Sequence, residues 1–226
     1  MSIDAVLFDK DGTLFDFQKT WGPVGKRLAH AFDTTAPEDV AAVIGYDLGS
    51  ETFLPESPFV YESANHTNER LTDLTGQSAE DIRQRIDALG LGATQMPVDG
   101  LVEALAGLAP RTLGIATNDA EASARAHLEQ HGLSPFFKFI AGYDSGFGGK
   151  PAPGQLLEFT RVTQIAPNRT AMVGDAKHDL TAAREAGMVA IGVLTGAAPR
   201  ATLEPLADVV LDSIAELPAW LDARGS

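Results

Sequence analysis

The sequence predicts an open α/β fold: a parallel sheet flanked by helices, carrying an inserted helical segment. Two observations predict the sheet. From about residue 97 onward, short apolar runs rich in β-branched residues alternate with helix-length stretches, as in successive βαβ units. One further apolar run, "AVLF" at 5–8, stands alone near the beginning of the 226-residue chain. A third observation predicts the insertion: from about 16 to 95 the pattern is helical and no strand-like run interrupts it.

Each element has its own signal. The run at 5–8 is continuously apolar, as a strand covered on both faces must be. Within the insertion, Ser78 followed three residues later by Asp81, then Ile82, Ile86 and Leu89, marks a capped amphipathic helix. "RTLGIATND" (111–119) is a strand leading into the helix "AEASARAHLEQHG" (120–132), which stops at Gly132. "FKFIAG" (137–142) is the next strand, and Pro153 opens the helix "PGQLLEFTRVTQ" (153–164). "TAMVGD" (170–175), the helix "KHDLTAAREAG" (177–187) closed by Gly187, and "VAIGVLTG" (189–196) follow. "ADVVLDS" (207–213) and "IAELPAWL" (214–221) complete the pattern as a strand and a helix. The total is about six strands with short loops. The expected division is a core of residues 1–15 and 96–226 and a helical domain of residues 16–95.

Composition excludes several functions. Net charge is −14 and no Lys/Arg cluster stands out, which argues against nucleic acid or an anionic membrane as partner. A small anionic ligand remains compatible, because a bound cation and backbone N–H groups hold phosphate locally. The chain has no cysteine, so thiolate catalysis and zinc–thiolate sites are excluded, and its five histidines show no metal-ligand spacing. No secretory signal or bilayer-length apolar run is present, so the expectation is a cytoplasmic protein.

In an open parallel sheet, ligands bind beyond the carboxyl ends of the strands. The first strand ends in Asp9-Lys10-Asp11-Gly12-Thr13, and the "TLGIA" strand in Thr117-Asn118. Lys150 follows the "FKFIAG" strand, and the "AMV" strand ends in Gly174-Asp175 with Asp179 four residues on. Asp9 and Asp11, two apart, face the same way, and like charges held that close call for a cation. Oxygen-only donors suit Mg²⁺. Lys150 adds a point charge for a phosphoryl oxygen and Thr117 a hydroxyl donor. Gly12 lets the Asp11–Thr13 turn form an anion-binding nest. These are parts of a phosphoryl-transfer site. Lys10 is expected on the opposite side in a structural role, and Lys177 and His178 facing solvent. Trp21, Phe53, Phe59 and Tyr61 are expected as packing residues of the helical segment.

"DKDGT", "ATN", "GKPAP" and "VGDAKHD", in this order and spacing, resemble the four motifs of the haloacid dehalogenase superfamily. The insertion after the first motif is similar to the α-helical cap of its phosphoglycolate phosphatase and β-phosphoglucomutase branch. The resemblance implies a Rossmann-like core with an inserted α-helical cap domain. It makes Asp9 the nucleophile that forms an aspartyl-phosphate, and Asp11 the acid and base for leaving group and water. It places Mg²⁺ on the Asp9 carboxylate, the Asp11 carbonyl and Asp175, with Asp179 a ligand through water or a brace for Lys150. Thr117, Asn118, Lys150 and the Gly12 turn would hold the phosphoryl group.

Dehalogenase relatives usually lack an aspartate two residues after the nucleophile, so Asp11 favours a phosphate ester. Phosphomutase relatives carry a basic cap residue for a distal phosphate. The corresponding segment "IGYDLGSETFLPESPF" (44–59) has none, although Lys19, Lys26 or Arg70 could serve. The expectation is therefore a Mg²⁺-dependent phosphatase acting on a small phosphorylated metabolite, as a monomer or homodimer. The alternatives are a phosphosugar mutase and a non-catalytic phosphoaspartate signalling protein. The latter would place its phosphorylated aspartate well inside the chain and lack the insertion.

Overall fold

The structure is a computed structural model that describes residues 2–55, 57–61 and 64–225. In chain order its elements begin with β1 (Ala5–Phe8), α1 (Phe17–Ala29), α2 (Pro37–Ile44), β2 (Tyr46–Asp47) and β3 (Thr52–Phe53). Then come α3 (Pro58–Tyr61), α4 (Ala64–Thr75), α5 (Ala79–Leu91) and α6 (Leu101–Gly107). The alternating part runs β4 (Thr112–Ala116), α7 (Glu121–Gln130), β5 (Phe137–Ala141), α8 (Gly154–Thr163) and β6 (Thr170–Gly174). It closes with α9 (Lys177–Ala186), β7 (Val189–Val193), α10 (Arg200–Leu203), β8 (Val209–Leu211) and α11 (Leu217–Gly225). The chain divides into two compact units, Met1–Asp16 with Pro97–Ser226, and Phe17–Met96.

The first unit holds a six-stranded sheet in the order β5-β4-β1-β6-β7-β8, with every neighbouring pair parallel. All six expected strands are present. β1 is central, and its four residues are fully buried because helices cover both faces. Phe8 pairs with Ile115 on one side and Val173 on the other, so Asp9 emerges beside the ends of β4 and β6. Strand order runs outward from β1 to β5 and then resumes beyond β1 at β6, which opens a crevice at the carboxyl ends. Phe8, Phe15, Leu105, Ile115, Leu128, Val173, Ile191 and Leu217 belong to one core cluster. Truncating Phe8 to alanine there would cost about 3–5 kcal/mol.

Helix ends follow their local chemistry. Gly187 takes the left-handed conformation after α9 (φ 72°) and returns its N–H to the last turn. Pro153 sits directly before α8, where a missing N–H costs no helical hydrogen bond.

The second unit is built on α1, α2, α4 and α5. Ser78 caps α5 by accepting the Asp81 N–H at 3.1 Å, and Ile82 is buried. The expectation of an uninterrupted helical segment needs a correction, because β2 and β3 form a short antiparallel hairpin. Two-residue strands carry no period to detect, and this hairpin is held by side chains from elsewhere. Gln18 on α1 donates to the Phe53 carbonyl and accepts its N–H, both at 2.9 Å. Asp47 Oδ1 accepts from Gly49 and Ser50 in the turn. Phe53 packs on Tyr46 and stacks on Phe59, each with centroids 5.1 Å apart, and Trp21 lies 6.0 Å from Phe59. These rings are packing residues; the Tyr61 side chain, expected among them, lies outside the described residues. Lys26 pairs with Glu51, and the Arg27 guanidinium donates to the Leu89 carbonyl.

Candidate active site

The crevice at the end of β1 collects the polar residues of four strand ends. Asp9 follows β1 directly and donates its N–H to the Val173 carbonyl at 2.9 Å, so the sheet ladder fixes its backbone. Asp175 follows β6, and Asp179 lies in the first turn of α9. Oxygens from Asp9, Asp175 and Asp179 lie within 4.8 Å of one another, and all three residues are buried. Lys150 enters from the loop after β5; its ammonium donates to Asp9 Oδ1 at 2.7 Å and to Asp179 Oδ1 at 2.6 Å. The second Asp179 oxygen accepts the Ala176 N–H at 3.0 Å, so this carboxylate both caps α9 and anchors the lysine.

The electrostatics follow from crowding charge out of water. Burial raises the Asp9 carboxyl to about 7, against the pull of Lys150, with Asp179 adding to the rise. Burial, with Asp179 and Asp9 nearby, likewise pushes Asp175 well above the usual carboxylate range. Burial alone would depress the Lys150 ammonium, but Asp179 and Asp9 outweigh it and keep the group charged. Asp179 is held low despite burial, through His178 and Lys150. Three carboxylates and one ammonium leave the cluster short of positive charge. A divalent cation with oxygen preference would supply it.

Gly12 (φ 81°) and Gly196 make room for Asp175, since a methyl group on either would overlap its carboxylate. Thr195 donates its hydroxyl to the Gly12 carbonyl at 2.7 Å and ties the loop after β7 to the turn after β1. Neither Thr195 nor Gly196 was singled out from the sequence, where "VLTG" read only as the end of a strand. The signal was a hydroxyl and a glycine following that strand.

Thr117 is buried and accepts the Asp119 N–H on its hydroxyl oxygen at 3.1 Å, leaving the hydroxyl proton for another acceptor. Asn118 takes both backbone groups of Lys150: its Oδ1 accepts the N–H at 2.8 Å and its Nδ2 donates to the carbonyl at 2.9 Å. Its side-chain amide thus pins the lysine and does not point at the acid cluster. Asp11 is not one of the three clustered carboxylates; its Oδ2 accepts from Lys10 Nζ at 2.5 Å, and its charge adds to the rise of Asp9. Lys10 is fully buried. His178, expected to face solvent, is half-buried in the first turn of α9, with Nε2 3.4 Å from Asp179 Oδ1.

A buried Asp–Lys pair beside three clustered carboxylates, at the carboxyl edge of a parallel sheet, stands where open α/β sheets bind their ligands. The chain belongs to the haloacid dehalogenase-like hydrolase family, whose model matches residues 3–187. It is 36% identical over 202 residues to the Dickeya dadantii protein named "Probable phosphatase IndB", covering 84% of this chain and 81% of that one. It is 28% identical over 231 residues to a phosphoglycolate phosphatase of Vibrio cholerae, covering 96% of each. In three dimensions it resembles a predicted phosphoglycolate phosphatase from Haemophilus somnus, with a TM-score of 0.75 and 17% identity over 97% of this chain and 98% of that one. Among the described residues no helix is long and apolar enough to cross a membrane.

Proposed function

We propose that the chain is a Mg²⁺-dependent phosphatase that hydrolyses small-metabolite phosphate monoesters through a phosphorylated Asp9. The observation that carries this reading is the Asp9–Lys150–Asp179 arrangement. A carboxylate held by a buried ammonium at 2.7 Å is oriented and kept from wandering. Asp9 attacks phosphorus, the P–O bond to the leaving group breaks, and Asp11 gives that oxygen its proton. In the second half Asp11 takes a proton from water as the water displaces Asp9, releasing inorganic phosphate. The Thr117 hydroxyl and the Lys150 ammonium bind phosphoryl oxygens, and Asn118 holds Lys150 in place. The Asp9 and Asp175 carboxylates and the Asp11 carbonyl would hold Mg²⁺, with Asp179 behind them. The ion, when bound, neutralises charge on the transferring phosphoryl group. The helical insertion, residues 16–95, would serve as the cap domain to a core of residues 1–15 and 96–226. A small acid such as phosphoglycolate heads the candidate substrates, in keeping with the names of several relatives.

The test is hydrolysis of p-nitrophenyl phosphate and 2-phosphoglycolate with Mg²⁺ and with EDTA, using Asp9→Asn as control. Turnover that needs Mg²⁺ and disappears in Asp9→Asn is expected. Metal-independent turnover, or an active Asp9→Asn enzyme, would overturn the proposal. Isomerisation of a sugar phosphate that needs trace bisphosphate would replace it with a mutase.

A further inference from the structure

The Asp9–Asp11 turn contains a second buried cation that the chemistry above leaves without a task. Lys10 is fully buried, and its Nζ is not part of the Lys150 bridge. It lies 2.5 Å from Asp11 Oδ2 and 3.2 Å from Asp119 Oδ2, with the Phe15 ring 6.0 Å away. A buried ammonium costs several kcal/mol unless it is paired, whereas leucine would fill the position without that cost. Asp119 is fixed, with Oδ1 accepting the Ala120 N–H at 2.7 Å and Oδ2 accepting the Ser123 hydroxyl at 2.9 Å. His127 Nδ1 stands 4.0 Å from the same oxygen. Asp11 precedes Gly12 in its left-handed conformation, and its side chain, like that of Asp119, is partly exposed. Lys10 thus bridges an Asp119 carboxylate already held by Ala120 and Ser123 to the Asp11 carboxylate in the turn after β1.

We infer that Lys10, anchored on Asp119, is a positioning residue for Asp11 and sets where that carboxyl stands when it protonates the leaving oxygen. The inference rests on the general-acid reading of Asp11. Asp119 immediately follows the Thr117-Asn118 pair at the end of β4, so the anchor comes from the same strand end as the phosphate-binding hydroxyl. A general acid contributes on the order of 10²- to 10⁴-fold, and the gain depends on geometry at the ångström level.

The experiment is a mutant cycle on the full-length enzyme with Mg²⁺ present, comparing p-nitrophenyl phosphate with the alkyl ester 2-phosphoglycolate. Lys10→Met should lower kcat on the alkyl ester by about 10- to 100-fold, with far smaller loss on the aryl ester and little change in KM. Lys10→Arg should recover part of the loss. In an Asp11→Asn background, Lys10→Met should add nothing, because the group it positions is gone. If Lys10→Met alone does not fold, Lys10→Met/Asp119→Asn removes cation and anchor together and should show the same signature. Asp11→Asn losing equally on both esters would overturn the general-acid reading itself. Asp11→Asn showing leaving-group selectivity while the Lys10 variants lose equally on both esters, or add to Asp11→Asn, would overturn the positioning role alone.

Discussion

Lys150→Met should destabilise the protein substantially, and Mg²⁺ should rescue much of the loss. The ammonium makes two charge-assisted hydrogen bonds, 2.7 Å to Asp9 and 2.6 Å to Asp179. The side chains of Lys150 and Asp179 are inaccessible to solvent and that of Asp9 nearly so. Removing one partner of such a buried pair costs about 3–5 kcal/mol, because the remaining charge is neither solvated nor matched. Here the remainder is the Asp9, Asp175 and Asp179 carboxylates, whose oxygens lie within 4.8 Å of one another. At about 2–4 °C per kcal/mol for a chain of this size, Tm should fall by roughly 6–20 °C. The assay is thermal unfolding followed by circular dichroism, in EDTA and in saturating MgCl₂. A cation that binds only the folded state stabilises by about 2.7 kcal/mol at a hundredfold excess over Kd. That gain should be larger in Lys150→Met than in wild type, since the variant has more unmatched negative charge. A fall of under about 2 °C in EDTA would refute the reasoning. So would a Mg²⁺ shift no greater in the variant than in wild type.

Two further outcomes follow. Gly196→Ala places a methyl group where the Asp175 carboxylate lies, so it should lower kcat/KM by about 100-fold and raise the Mg²⁺ concentration needed for activity; a variant as active as wild type would show that Asp175 has room to shift. Burial and the nearby Lys10 ammonium hold His127 below its ordinary value of 6.5. The unfolded chain therefore takes up the proton first, and this contribution to stability is full above about 6.5 and declines as pH falls below it. His127→Gln should flatten the drop in Tm between about pH 6.5 and 5, and parallel curves for variant and wild type would count against the assignment.

The parts of the fold that were legible in the sequence are those where burial leaves a pattern. "AVLF" could only be a strand covered on both faces, and the apolar runs from residue 112 onward each became one strand of the sheet. Asp9, Lys150 and Asp175 were noticed for the same reason, as polar residues following such runs. What escaped depends on which side chain meets which across long distances. The hairpin at 46–53 has strands too short for any period, and its partner Gln18 is 35 residues from Phe53. Asn118 could have faced a phosphate or the chain, and only the path of the loop after β5 brought the Lys150 backbone to it. Lys10, set aside as structural, proved to be buried and to reach the Asp11 carboxylate. Alternation along the strand gives its side but not the end point of a four-carbon stem.

The Asp9–Lys150 contact joins residues 141 positions apart. Bringing such distant segments together carries a large loop-closure entropy and belongs to the slow part of folding. β1 is flanked only by β4 and β6, so its apolar edges stay open until those later segments arrive. A nascent or partly unfolded chain therefore has no acid cluster and presents an unpaired strand. Recovery of the acid cluster and escape from aggregation should share one kinetic phase.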